Sequence, residues 1–318
     1  MTSSWRIAFA LGAVIASIAG PVFSSDDYPT KVIRIVTSEP GSTNDLVSRM
    51  VAHGLSASLG QTIVENRGGI SPEYVARSAA PDGYTILFFG NAAWLTPLFR
   101  KMPYDAERDL APISTGCSQP TILAVHPSMP VKSVKEFIAL AKARPGEINY
   151  GTGATITGPL LAAELFKHQA KVNIVRINYR GTGPAAMALV AGEVQVMFVG
   201  AGTAMPHMRA GRIRALAVTT PEPSPLVPGL PSVSASGLPG YEYTSFIGFQ
   251  APGKTPPPIV NRLSHKIVQV LKSEDVHSKL LQSGVETGGT TPEVFAAKIK
   301  AEIEQWRQII KESGLRFE

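Results

Sequence analysis

Val36-Thr-Ser-Glu-Pro-Gly41-Ser-Thr-Asn-Asp45 decides how this chain folds. An apolar run, Val32, Ile33, Ile35 and Val36, breaks into a loop of Gly, Ser and Thr, and an apolar pattern at helical spacing follows. That order predicts a strand, a loop and a helix N-terminus. Such a junction aims backbone NH groups and the positive end of a helix dipole at one spot, which suits a carboxylate or a phosphate. The same kind of junction is expected again at 151–158 and at 181–185. Repeated anion-friendly loops, in a chain with no convincing catalytic constellation, point to a binder rather than a catalyst.

Outward from this stretch, Asn44 is the expected cap of the first helix, whose stripe is Leu46, Val47, Met50, Val51 and Leu55. Strand-like runs at Val32 to Val36, Thr62 to Glu65, Tyr84 to Phe89 and Thr121 to Val125 alternate with helical patterns. Ser133 and Glu136 form a capping-box pattern, and Pro145-Gly146 ends the helix that they start. A second alternating series has strands near 148–150, 172–177, 194–199 and 215–218, with helices near 160–167, 184–190 and 204–210. Two such series imply two parallel-sheet domains with a cleft between the carboxyl ends of their strands. A last strand at 243–249 precedes a helix at about 257–271 and a terminal helix from Thr291 with Phe295, Ile299, Ile303, Trp306 and Ile310 on one face. Neither helix has a new strand series to accompany, so both are expected to return to the first domain. The Pro- and Gly-rich segment 221–240 reads as an irregular loop.

At 318 residues, 44% hydrophobic and 17% charged, the chain can bury an ordinary core and fill two domains. Residues 1–24 read as an export signal: an apolar block from Ile7 to Ile18 is too short for a bilayer of ~30 Å, and Val22 and Ser24 occupy small-residue cleavage positions. The alternative is a tucked N-terminal helix, kept open by the single positive charge Arg6. The lone Cys117 excludes an internal disulfide and a thiolate cluster, and reads as a small buried hydrophobe. The net charge of +6 is spread along the chain without a basic block, which gives nucleic-acid binding little support.

Gly248-Phe-Gln-Ala-Pro-Gly253-Lys-Thr255 matches the letters of a phosphate loop, but Pro256, Pro257 and Pro258 follow where a helix would have to donate NH groups. A strand-to-helix turn is the better reading. Gly151-Thr-Gly153 and Gly181-Thr-Gly183 lack the third glycine of a dinucleotide fingerprint. The 6 histidines are scattered with no HExxH pair, so neither a metal nor another cofactor is expected. No GxSxG elbow occurs, though a Ser and a His could still meet in space. Asp45 has two roles open to it, helix cap or ligand contact. Arg180 likewise reads either as a carboxylate clamp or as a solvated loop charge.

The runs Val64-Glu-Asn-Arg67, Val75-Ala-Arg77, Ala80-Pro-Asp-Gly-Tyr-Thr85, Met102-Pro-Tyr-Asp105, Leu110-Ala-Pro-Ile113, Ala204-Met-Pro-His-Met-Arg-Ala-Gly211 and Arg214-Ala-Leu-Ala-Val-Thr219 closely resemble the extracytoplasmic solute receptors of tripartite tricarboxylate transporters, the Bug or TctC-like family. The likeness runs in order from Tyr28 to the C-terminus. It implies a monomeric periplasmic binding protein of type II: two doubly wound α/β domains, 25–125 with 249–318 and 126–248, closing on a small carboxylate. It also implies delivery to a membrane permease with one large and one small subunit. Carried over by position, the ligand set is Pro40, Gly41, Ser42, Thr43, Asn44 and Asp45 on one side, with Asn91. On the other side it is Gly151, Thr152, Gly153, Ala154, Thr155, Ile156 and Thr157, with Tyr179, Arg180, Gly181 and Val199. Such a cradle of amides and hydroxyls binds an anion without the desolvation cost of a buried Arg.

Four departures from the family pattern bear on the ligand. Gly41-Ser42-Thr43 replaces a Gly-rich triplet, and the insertion after Asn66-Arg67 is short. Thr155-Ile-Thr-Gly-Pro-Leu160 stands where relatives have a Ser/His-rich loop, and Val199-Gly200 replaces an Asp-Asn pair. The missing acid at Val199 argues against an amino acid, and Ile156, Leu160 and Trp94, if they line the cleft, favour a carboxylate with an apolar body. Two other functions stay open at this point: a co-receptor for a membrane sensor kinase, and a periplasmic enzyme acting on an organic acid.

Overall fold

Ser42 starts the first helix. Its backbone is extended (φ -77°, ψ 164°), its Oγ accepts the Asp45 amide at 3.2 Å, and Asp45 Oδ2 in return accepts the Gly41 amide at 3.0 Å. This reciprocal cap corrects the expectation of Asn44, which lies inside the first turn and so has helical rather than cap geometry. The structure, a computed structural model, describes residues 28–153 and 156–313. The expected export signal, 1–24, and two candidate ligand residues, Ala154 and Thr155, lie outside the described residues.

The first part of the chain forms β1 (Ile33–Thr37), α1 (Thr43–Leu59), β2 (Thr62–Asn66), α2 (Ser71–Arg77), β3 (Thr85–Gly90), α3 (Ala92–Phe99) and β4 (Leu110–Gln119). Then come β5 (Thr121–Val125), α4 (Val134–Ala143), β6 (Asn149–Gly153), α5 (Gly158–Ala170), β7 (Val175–Tyr179), α6 (Thr182–Ala191), β8 (Val196–Gly200), α7 (Ala201–Arg209) and β9 (Arg214–Val218). The last part is β10 (Ser245–Pro252), α8 (Pro257–Leu271), α9 (Glu274–Gln282), β11 (Glu286–Thr287) and α10 (Pro292–Ser313). The elements α2, α3, β4, α9 and β11 were not expected from the sequence. Pro97 inside α3 and Pro112 and Gly116 inside β4 interrupt the local patterns that would have announced two of them.

Two sheets result, with strand orders β11-β4-β10-β3-β1-β2 and β7-β6-β8-β5-β9. β1 runs parallel to β2 and β3, and β6 runs parallel to β7 and β8. The sheets are nonetheless mixed rather than parallel throughout, because β10 is antiparallel to β3 and β4, and β5 is antiparallel to β8 and β9. The short edge strand β11 is also antiparallel to β4, but β5 and β10 are the strands that arrive from the other sheet. Each enters where its new neighbours end, so it can only run back.

The expected boundaries at 125 and 248 are corrected by the same pairings. β5 belongs wholly to the five-stranded sheet and β10 wholly to the six-stranded one. The chain therefore passes between the sheets at Pro120 and again along 219–244.

On one face of the larger sheet, Val47, Val51 and Leu55 of α1 and Leu263 and Ile267 of α8 pack on Ile33, Ile35, Ile86 and Phe88, all of them fully buried. Each such side chain contributes about 1.5–3 kcal/mol. Cys117 belongs to this cluster, and burial pushes its thiol up to about 12, as suits a small hydrophobe. α8 and α10 pack on this sheet, with α10 against β4 and α3. The buried face of α10 is Phe295, Ile299, Ile303, Trp306 and Ile309, with Ile310 only half-buried, and it includes Glu302. A second cluster runs through both lobes, from Trp94 and Phe295 to Leu160 and Phe166.

The phosphate-loop look-alike is a turn. Gly253 donates its amide to Asp109 O at 2.8 Å and lies so close to the Arg108 carbonyl that no Cβ fits, and α8 begins directly after Pro256.

Candidate functional site

The strand registers place a cleft. Gln119 at the end of β4 pairs with Ser245 at the start of β10, and Ile247 pairs with Gly90, the last residue of β3. In the other sheet Thr121 pairs with Gly200, the last residue of β8, and Ile122 with Val218 at the end of β9. Both passages between sheets thus lie level with the carboxyl ends of the parallel strands, so the ends of β1 and β3 face those of β6, β7 and β8. Ligands in open α/β sheets bind at such strand ends.

On the first side, Gly41 adopts φ 78°, a left-handed conformation that favours glycine and turns the chain into α1. Ser38 Oγ and Ser42 Oγ stand 2.9 Å apart, and Ser42 Oγ also reaches Glu39 O at 2.8 Å. The amides of Thr43 and Asn44 open the helix and take no partner among the described residues. Pro40 and Gly41 are exposed, and Ser42, Thr43 and Asn44 are half-buried.

Asp45 serves the loop itself. Its carboxylate accepts from Gly41, from Asn66 Nδ2 at 2.9 Å and from Arg49 Nε at 3.1 Å. Burial works to raise its pKa, but the hydrogen bonds from Arg49, Gly41 and Asn66, with the Arg49 charge, outweigh it and hold the carboxyl at about 2. Asn66 also donates to Ser38 O at 2.8 Å, so β2 braces both ends of the turn.

On the second side, Thr157 caps α5 through its Oγ1, which accepts the Leu160 amide at 3.4 Å, and Gly181 caps α6. A Cβ on Gly153 would stand 3.6 Å from the Thr182 amide nitrogen, which sets the end of β6 against the start of α6. Gly151 and Thr152 are buried, and Thr152 Oγ1 has no hydrogen-bond partner among the described residues. Tyr179 is half-buried, lies beside Gly151 and reaches Glu193 Oε2 at 3.5 Å. Arg180 is exposed and carries no ion pair among the described residues.

Several expectations about the lining do not hold. Val199 is 1% exposed and packs with Ile122, Ala185 and Ala201 in the core beneath α6 and α7, not in the cleft. Leu160 and Trp94 are each 1% exposed and belong to the core, so of the three proposed apolar contacts only the half-buried Ile156 remains near the surface. Asn91 is buried, with its amide committed to Tyr243 and Glu302.

Sequence reasoning missed Gln119. Its Nε2 donates to Thr43 Oγ1 at 3.2 Å, and a Cβ on Gly200 would stand 3.4 Å from its Oε1. It therefore sits between the N-termini of α1 and α7. Its place just before Pro120, between two strand patterns, was the available signal. Among the described residues, no three His, Cys, Asp or Glu side chains gather to hold a metal ion.

The family described as "Tripartite tricarboxylate transporter family receptor" matches residues 47–315. Protein BugT of Bordetella pertussis is 33% identical over 323 residues, with 98% of each chain covered. The R. palustris protein Rpa4515, solved with adipate, matches with a TM-score of 0.80 at 34% identity, covering 91% of this chain and 99% of that chain. MatC from Rhodopseudomonas palustris, solved with bound malate, matches with a TM-score of 0.76 at 28% identity, covering 89% of this chain and 100% of that one. The chain is a member of the tripartite tricarboxylate transporter receptor family.

Proposed function

We propose that this protein is an exported receptor that closes on a small organic dicarboxylate and delivers it to a permease with one large and one small subunit. The observation that carries the reading is the pair of opposed helix starts, Thr43-Asn44 on one lobe and the first turns of α5 and α6 on the other. Each presents donors to the same cleft, and two carboxylates at the ends of a short chain complement two such poles. Relatives solved with adipate and malate support a dicarboxylate. Backbone amides and hydroxyls hold the anion, and the transporter receives it unchanged.

Thermal unfolding of the chain from Ser25 onward, against aliphatic, aromatic, hydroxy, di- and tricarboxylic acids and amino acids, tests this. A ligand at 100 times its Kd adds ~2.7 kcal/mol to the native state, a shift of a few degrees. Stabilisation by a dicarboxylate that is recovered unchanged is the expected result. Tighter binding of glutamate or aspartate than of every non-amino acid would overturn the ligand class, and turnover would overturn the receptor role. Loss of uptake on deletion of the gene supports delivery; intact uptake with altered induction refutes it.

A further inference from the structure

Gln119 touches the helix starts of both lobes. It is the last residue of β4, and Pro120 alone separates it from β5 of the other sheet. The Pro120 carbonyl accepts the Ala201 amide at 3.0 Å, which fixes the first turn of α7 beside it. Gln119 Nε2 donates to Oγ1 of Thr43, the first residue of α1, at 3.2 Å. A Cβ on Gly200 would stand 3.4 Å from Gln119 Oε1, and a Cβ on Gly202 would stand 3.9 Å from Nε2. The amide therefore lies along the start of α7 against two residues without side chains. Gln119, Thr43 and Gly200 are half-buried and Gly202 is exposed, so this amide stands at the wall of the cleft and not in the core.

Charge limits what such a group can read. The first turns of α1 and α7 carry the positive ends of their helix dipoles. Asp45, the acid on the first turn of α1, is committed to Gly41, Asn66 and Arg49. An acid in place of Gln119 would itself be the anion between these ends. A neutral amide leaves that part to the carboxylate of a ligand and reads what is attached beside it.

The hydrogen-bond count then selects the substituent. A primary amide has two N–H groups and two acceptor lone pairs. One N–H goes to Thr43, and among the described residues nothing takes the other or donates to Oε1. Turned over, the amide would accept from the Thr43 hydroxyl and keep both N–H groups and one lone pair, so in either orientation a donor and an acceptor remain side by side. A hydroxyl uses both, accepting from the N–H and donating to the C=O. An oxo group uses only the N–H. An ammonium uses only the C=O, and it brings a positive charge to two positive helix ends. A methylene uses neither and strips water from both.

We propose that Gln119 is a specificity-determining residue whose amide selects an acid with a hydroxyl on the carbon next to the carboxylate held at the start of α1. This rests on the receptor reading given above and narrows its ligand class to 2-hydroxy acids. The position of the hydroxyl follows from adjacency. The carboxylate is held by the amides of Thr43 and Asn44, and Gln119 bonds the side chain of the same Thr43, so the group it meets is on the neighbouring carbon and not at the far end of the ligand.

Calorimetry on the chain from Ser25 tests this with succinate, glutarate and adipate, each against both enantiomers of its 2-hydroxy derivative. At the chain length that binds, one enantiomer should bind about fivefold tighter than the plain diacid, the worth of one net hydrogen bond. Gln119→Met, which keeps the length of the side chain without its donors and acceptors, should weaken that enantiomer to the level of the plain diacid and leave the plain diacid unchanged. A merely structural role would weaken both alike. Plain diacids that bind as tightly as both enantiomers, or a preference that survives in Gln119→Met, overturn the proposal. The side-chain amide resonances of Gln119 in the wild type supply a readout that does not depend on the variant folding: they should differ between the complexes with hydroxylated and plain diacid, and identical shifts overturn the proposal. If no diacid binds, the dicarboxylate reading fails by itself. Butyrate against 2-hydroxybutyrate then decides the role of Gln119 by the same criteria, and binding of neither overturns it as well.

Discussion

Replacing Glu302 by Gln should change how stability depends on pH, by an amount that the burial of the carboxylate sets. In the folded protein this acid titrates at about 7, against an ordinary value of 4.5. Between those two values the native state holds a proton that the unfolded chain has released, so stability falls as pH rises through the window. At 1.36 kcal/mol for each pH unit of separation the loss amounts to about 3 kcal/mol, complete above pH 7 and absent below pH 4.5. The side-chain amide introduced by Glu302→Gln cannot titrate, so the variant lacks this term. Urea unfolding of both proteins at several values from about pH 4 to about pH 8 measures it, with stability taken as the midpoint times a common slope. The wild type should lose about 3 kcal/mol relative to the variant on going up in pH. Parallel curves would refute the reasoning, because they would mean that Glu302 is ionised in the folded state at no greater cost than in water.

Asp45→Ala should cost about 2 kcal/mol in urea unfolding near neutral pH, since it removes the shared acceptor of Gly41, Asn66 and Arg49. The Asp45 contribution should be present above its ordinary 3.8 and fade as pH falls toward about 2, which a wild-type-minus-variant comparison in acid would reveal. Val199→Asp should not create an ammonium site. Among Ile122, Ala185 and Ala201 it buries an unpaired carboxylate, so a loss of about 3 kcal/mol or more is expected, and a well-folded variant with new amino-acid binding in calorimetry would contradict this. Gly253→Ala should lower the thermal midpoint by several degrees, because its Cβ meets the backbone of Arg108 and backbone cannot step aside.

The first helix and the anion-friendly junctions were legible in the sequence because they rest on local chemistry: a small-residue turn, a capping oxygen and a stripe at helical spacing. Even there, choosing between Ser42 and Asn44 as the cap required the backbone angles. Strand direction was not legible, since β5 and β10 look locally like their parallel neighbours and differ only in which sheet they come from. Trp94, Leu160 and Val199 illustrate a second limit. An apolar residue near a predicted ligand loop has the same letter whether it faces the cleft or the core, and all three face the core. Glu302 was invisible for the opposite reason. A charged residue on an apolar helix face reads as the rim of the stripe, and the partners that bury it lie 208 and 211 positions away.

The place of β10 bears on how the chain reaches its fold. It lies in the middle of the six-stranded sheet, between β3 and β4, yet it is made only after the whole five-stranded lobe. Until residues 245–252 arrive, two long strands have bare edges turned toward each other, and the first lobe cannot close its sheet. The second lobe, continuous from Thr121 to Val218, has every strand that it needs. Assembly should therefore run from the inserted lobe outward, with the sheet that begins the chain joined through its centre only when β10 arrives, so that any chaperone guarding the nascent protein has those two edges to cover.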